Sequence, residues 1–168
     1  MAVLLLALAV PAFAANSQRH SSFDPVAFLL GEWKPANGSG GPGATVFHSA
    51  MDGQMIVRES RRFVKRNDGP ASQRDLLVIY KDQEDHRLRA VSFDEHGKTI
   101  HYKVDVTGVN EVTFVSDEIM GRPRYRLSYK LDADETLRGK LDVAAPDTSG
   151  FKTYQRWTAY RIDDEGWL

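Results

Sequence analysis

Between positions 32 and 162 apolar and polar residues alternate in stretches of six to twelve, separated by clusters rich in Gly, Asn, Asp and Pro. A period of two sends successive side chains to opposite faces of a strand, so each stretch predicts a strand with one buried and one wet face. The predicted strands are 32–37, 44–49, 54–65, 74–81, 87–93, 99–106, 111–116, 124–131, 136–143 and 151–162. Asn67-Asp68-Gly69-Pro70, Glu95-His96-Gly97 and Asp132-Ala133-Asp134-Glu135 are the clearest connectors. Their residues tolerate positive φ, preset φ, or fold a side chain back onto the backbone. Ahead of the strands, Phe23-Asp24-Pro25-Val26-Ala27-Phe28-Leu29-Leu30 has Asp before Pro, apolar residues at helical spacing, and Gly31 as a stop. It predicts a short helix or 3₁₀ turn that plugs one end of the fold with Phe23, Val26, Phe28 or Leu29, and Leu30.

Short sequential strands leave no room for the crossover helices that parallel pairing requires. The expected fold is all-β: an antiparallel up-and-down barrel of about ten strands with a short N-terminal helix, since closure leaves no strand edge unpaired. A two-sheet sandwich is the second choice. Alternation places Ile100, Tyr102, Val104 and Val106 opposite His101, Lys103 and Asp105. It likewise places Tyr125, Leu127, Tyr129 and Leu131 opposite Arg124, Arg126, Ser128 and Lys130. Leu137, Leu141 and Val143 continue the apolar stripe, and Gly139 among them predicts a bend in the barrel wall. Arg58, Glu59, Arg61 and Arg62 charge both faces of the long third strand. Either Arg58 or Glu59 turns inward as a paired polar anchor for a ligand, or the strand overhangs the sheet and all four are solvated.

The first residues follow a different pattern. An apolar run from Ala2 to Val10 leads through Pro11 to Ala12-Phe13-Ala14, the small-x-small sequence that signal peptidase reads. The run is shorter than the roughly 20 residues a membrane span needs. Residues 1–14 are therefore expected to be a removed signal peptide and 15–22 a flexible leader, followed by one β-barrel domain at 23–163 and a tail at 164–168. The chain has no cysteine, which suits a bacterial periplasmic or secreted protein and removes the site of N-terminal lipid modification. Stable membrane anchoring is not expected. A net charge of −1 argues against bulk attraction to nucleic acid, so the partner expected is a small apolar molecule.

Candidate chemistry is sparse. Gly38-Ser39-Gly40-Gly41-Pro42-Gly43 spells a glycine-rich phosphate loop, but Pro42 interrupts it and no helix follows, so it reads as a loop at the barrel rim. His20, His48, His86, His96 and His101 have no spacing that pairs two imidazoles on one metal. His86 and His96 sit beside turns, whereas His48 and His101 fall within strands. The acidic groups at 82–85 and 163–165 lack the ordered oxygen spacing of a calcium loop. There is no G-x-S-x-G and no cysteine nucleophile, and no catalytic residue is assigned.

Phe28-Leu29-Leu30-Gly31-Glu32-Trp33 resembles the entry to calycin barrels, where a short helix leads through Gly-x-Trp into the first strand. In lipocalins and fatty-acid-binding proteins a basic residue near the chain end packs on that tryptophan, which implies such a role for Arg156 or Arg161. Met51-Asp52-Gly53-Gln54-Met55 after the Gly-rich connection is similar to bacterial lipocalin-like proteins of unknown function. Nitrobindin-like barrels of the same superfamily hold haem through a late histidine, but positions 111–162 contain none. Haem is left only the routes through His48, His101, Tyr102, Tyr125 or Tyr129, and no cofactor is expected. The interior ligand site expected of such a barrel is built from Trp33, His48, Glu59, Tyr102, Tyr125, Tyr129 and Trp157. The rival readings are a barrel enzyme using Glu59 or His48 with a tyrosine, and a protein-interaction module with a filled interior.

Overall fold

The structure, a computed structural model, describes residues 23–36, 43–66 and 69–162, with the side chains of 62–66 and 69–71 left out of the description. The expectations placed on residues 1–22, on the loop at 38–42, on Asn67-Asp68 and on the tail lie outside the described residues.

Ten strands form a closed antiparallel barrel: β1 (Gly31–Pro35), β2 (Ala44–Ala50), β3 (Met55–Arg66), β4 (Gly69–Lys81), β5 (Leu88–Asp94), β6 (Thr99–Gly108), β7 (Glu111–Ser116), β8 (Arg124–Leu131), β9 (Thr136–Ala144) and β10 (Lys152–Arg161). Each pairs with its sequence neighbours, and β1 closes the ring against β10 through Trp33↔Arg161, Lys34↔Tyr160 and Pro35↔Ala159. The up-and-down barrel expected from the alternation is the fold. β4 starts earlier than the alternation suggested, because the β3–β4 ladder continues regularly out to Arg66↔Gly69. Gly69 and Pro70, read as turn residues, are the first two residues of that strand. Turn chemistry elsewhere follows composition: Gly97 and Glu135 have φ of 76° and 60°. The Asp94 carboxylate accepts from the backbone N–H groups of His96 and Lys98, each at 2.9 Å.

The N-terminal element is a 3₁₀ helix, η1 (Asp24–Leu29), with proline in its first turn. Three residues per turn stack Phe23, Val26 and Leu29 on one side. All three are buried, while Phe28 and Leu30 pack partly exposed against the same core. Below η1 lies a dry layer of Trp33, Phe47, Ile56, Ile79, Val112, Phe114 and Leu137, each no more than 2% exposed. Burying an aliphatic or aromatic side chain of this size contributes about 1.5–3 kcal/mol, so this layer is a main source of stability and closes one end of the barrel.

Gly31 and Gly139 are placed by close approach. Gly31 has φ +126°, and a Cβ there would strike the Arg161 guanidinium. A Cβ on Gly139 would overlap the indole of Trp157. β9 is in regular register at Gly139, with Tyr129 on one side and Trp157 on the other. The irregularity falls on β10, between Thr153 and Gln155. Glycine at 139 makes room for an aromatic ring.

Candidate functional site

Antiparallel strands let one direction along the barrel axis be followed residue by residue. Two residues on from the dry layer, Ile56 gives way to Arg58, Ile79 to Leu77 and then Asp75, Leu137 to Gly139 and Leu141, and Ala159 to Trp157 and Gln155. The interior therefore changes from packed hydrocarbon to mixed chemistry as it leaves η1. There it opens into a cavity of about 340 Å³. Its wall is Leu77, Phe93, Ile100, Tyr102, Tyr125, Leu127, Leu141 and Trp157 on the apolar side, with Arg58, Gln73, Arg74, Asp75, Ser92, Asp94, Glu95, His96, Lys98 and Gln155 as polar groups. A concave site that sets apolar and aromatic surface beside polar groups is a usual form of a small-molecule site.

Arg58 is the group that distinguishes this cup. It is 7% exposed and projects inward from β3, while its neighbours Glu59 and Arg61 project outward into solvent. Its guanidinium donates to the Tyr129 hydroxyl at 2.8 Å and pairs with the Asp75 carboxylate of the adjacent strand. Asp75 neutralises a charge that would otherwise be too costly to bury. Arg58 Nε, fully buried, has no hydrogen-bond acceptor, and it is the one buried side-chain polar atom in that condition among the described residues.

Around it the tyrosines take separate roles. The Tyr102 hydroxyl lies 3.3 Å from Ser92 Oγ, and burial of the ring raises the Tyr102 pKa against the opposing effects of the Ser92 hydrogen bond and the Arg58 charge. Lys98 Nζ donates to the Tyr125 hydroxyl at 2.8 Å and stands over the same ring, so a cation guards the mouth. Tyr129, 1% exposed, is held edge-on by Phe47, Phe114 and Trp157 in the packed interior behind Arg58.

Of the residues expected to line a ligand site, the fold brings Tyr102, Tyr125 and Trp157 together around the cup, while Tyr129 is off its wall and meets it only through Arg58. Trp33 is buried at the opposite end beneath η1, where its Nε1 donates to the Leu29 carbonyl at 2.8 Å. His48 and Glu59 lie on the outer face of β2 and β3 and are exposed, and His101 is exposed on β6. The pairing of Glu59 or His48 with an interior tyrosine is thus separated by the barrel wall. Asp75, Ser92 and Gln155 were not singled out in the sequence. The signal that marks them is a polar residue at an inward parity position next to a hydrophobic ladder, as in Asp75 with Leu77 and Ile79.

A broader groove of about 960 Å³ crosses the outer wall over β7 to β10. It is lined by cations that already have partners. Lys130 meets Glu111 at 3.5 Å, Arg138 meets Asp132, and Arg126 and Lys140 meet Asp142 at 2.8 and 3.1 Å. That groove is a salt-bridged surface on the outside of the barrel. No group of three or more His, Asp or Glu side chains that could hold a metal ion occurs among the described residues.

Comparison with protein-family models and with curated proteins returns no match for this chain.

Proposed function

We propose that this protein is an exported, lipocalin-like carrier that holds a small, mostly apolar molecule in the open half of its barrel. The observation that supports the reading is the two-part interior, with a dry packed layer under η1 and a cup of about 340 Å³, aromatic and aliphatic on one side and polar on the other, beyond it. A barrel that served only as a scaffold would gain stability from filling that half too, since every void forfeits dispersion contacts. The Gly-x-Trp entry under a short helix and the cation packed on that tryptophan support the lipocalin-like relationship. The carrier reading is preferred to an enzyme because Arg58 is tied to Asp75 and Tyr129, and Tyr102 is paired with Ser92, with Glu59 and His48 outside the wall.

The test is native mass spectrometry of the protein recovered from a bacterial periplasm, beside a Leu141→Trp variant that fills the cup without touching the dry layer. A discrete added mass, lost on denaturation and absent from the variant, is the expected result. An added mass that survives in the variant moves the site out of the barrel. A bare mass in both removes the carrier reading in favour of a surface that binds protein.

A further inference from the structure

On the outer wall, away from the cup, we infer that the groove over β7 to β10 is a second binding site, for an extended glycan that carries sulfate or phosphate esters. The inference starts from strand register. Residues directly opposite on neighbouring antiparallel strands share a face and hold their Cβ atoms about 4.5–5.5 Å apart, and like charges in that position destabilise a sheet. The groove contains two such pairs, Lys130↔Arg138 across β8 and β9 and Lys140↔Arg156 across β9 and β10. Arg138 and Lys140 lie two residues apart on β9, about 7 Å, so the four cations form one stepped track over three strands. A sheet face that served stability alone would set carboxylates opposite these lysines.

The carboxylates of this face stand at its two ends. At one end Glu111 meets Lys130 and Asp132 meets Arg138, with the Asp134 charge also acting on Arg138. At the other, Asp142 accepts from both Arg126 and Lys140 through one oxygen, Oδ2. Five cations line the groove against these four carboxylates, so the excess is small in sum and concentrated between the ends. The row there reads Thr113, Ser128, Lys140, Arg156 across β7 to β10, and it meets no carboxylate until Asp105 on β6, four strand spacings of about 4.8 Å from Arg156. Arg156 is exposed, and among the described residues its one hydrogen-bond partner is the Thr153 hydroxyl at 3.2 Å. An oxyanion seated on the track accepts from ammonium and guanidinium donors, and the Thr113 and Ser128 hydroxyls, 3.1 Å apart, continue the row with groups suited to sugar hydroxyls. The aromatic residues that border the groove, Tyr129 and Trp157, are turned into the barrel, so it offers no platform for stacked bases, which favours a glycan over single-stranded nucleic acid.

Calorimetric titration of the full protein at low salt tests this with a sulfated heparin-type tetrasaccharide, the same sugar without its sulfates, and a single-stranded RNA oligomer of equal charge. The sulfated sugar is expected to bind and the unsulfated one not, with affinity that falls steeply as salt rises, since release of counterions drives such binding. Lys130→Gln with Arg156→Gln takes one cation from each like-charge pair and leaves Asp142 its partners. This double variant should bind at least about tenfold more weakly, as loss of charge-assisted hydrogen bonds implies, without a lower unfolding midpoint. Lys81→Gln with Arg87→Gln makes the same charge change at exposed positions around the β4–β5 turn and should leave binding unchanged. A phosphorylated oligosaccharide of like length shows which ester the track prefers, and binding of either kind supports the inference. Equal losses in the two double variants overturn it in favour of net charge alone. Full affinity in the Lys130 and Arg156 variant places the site elsewhere and overturns it, as does tighter binding of the RNA. Binding of no probe leaves the groove a salt-bridged surface and overturns it as well, with the carrier reading untouched because these residues lie outside the cup.

Discussion

The guanidinium of Arg161 lies over the indole of Trp33, its central carbon 4.4 Å from the ring centroid, and donates to the carbonyls of Leu30 and Phe28. One side chain near the chain end thereby satisfies the carbonyls where η1 runs into β1, covers the tryptophan, and ties down the β1–β10 seam that closes the ring. Trp33 reciprocates by donating to the Leu29 carbonyl from beneath. Of the two arginines that the calycin resemblance offered for this place, the fold uses Arg161. Arg156 is exposed and hydrogen-bonds Thr153 at 3.2 Å.

Removal of this clasp should be felt at the seam. Arg161→Ala is expected to lower unfolding free energy by about 2–4 kcal/mol, the sum of a cation–π contact and charge-assisted hydrogen bonds at a partly buried site. Arg161→Lys should recover less than half, because an ammonium cannot stack and fork at once. Urea unfolding followed by tryptophan fluorescence measures both, and an unchanged midpoint for Arg161→Ala would show that the clasp contributes nothing.

Gly139 gives a second test with the opposite origin. A methyl group there overlaps the Trp157 indole, which must leave its place on the cup wall. Gly139→Ala should destabilise by about 1–3 kcal/mol, as overpacking does, although alanine is better tolerated than glycine in a strand. The tryptophan emission should shift along with the stability.

Tyr129 joins the cup to the dry layer, so its two truncations should differ in size. Tyr129→Phe removes only the hydroxyl that accepts from Arg58 and should cost about 1–3 kcal/mol. Tyr129→Ala also removes edge contacts to Phe47, Phe114 and Trp157 and should cost about 3–5 kcal/mol. Chemical denaturation of the two variants side by side decides this. Equal costs would mean that the ring is not part of the core.

Asp142 provides the acid limb of stability. Burial opposes its ionisation, but hydrogen bonds from Arg126, Lys140 and Thr153 outweigh that and hold the carboxyl below its usual range. Because the folded-state pKa lies below the unfolded value of about 3.9, the contribution is fully present above that pH and is lost as pH falls through the folded value. Asp142→Asn should lower stability at neutral pH by about 1–2 kcal/mol and make the acid-side decline shallower. Asp85 and Asp94 are also lowered, by backbone hydrogen bonds at exposed turns, so the decline should flatten and not vanish. A denaturation series across the acid range checks both parts.

The sequence alone determined the strands and their order. Alternation with a period of two and the chemistry of turns are local properties, and ten short strands with no crossover helix allow little except neighbour pairing. It also determined which residues share a face, as with Tyr102, Tyr125, Leu127 and Tyr129. It left open which member of an alternating charged pair turns inward, and β3 shows why. Arg58 and Glu59 are equivalent by local pattern, and the choice was made by Asp75 and Tyr129, 17 and 71 residues away, whose oxygens meet the guanidinium inside the barrel. Depth along the axis was equally invisible. Trp33 and Trp157 are both inward aromatics, yet η1 seals the first into a dry layer while the second faces the cup, because only closure of the ring sets how far each residue lies from the plugged end.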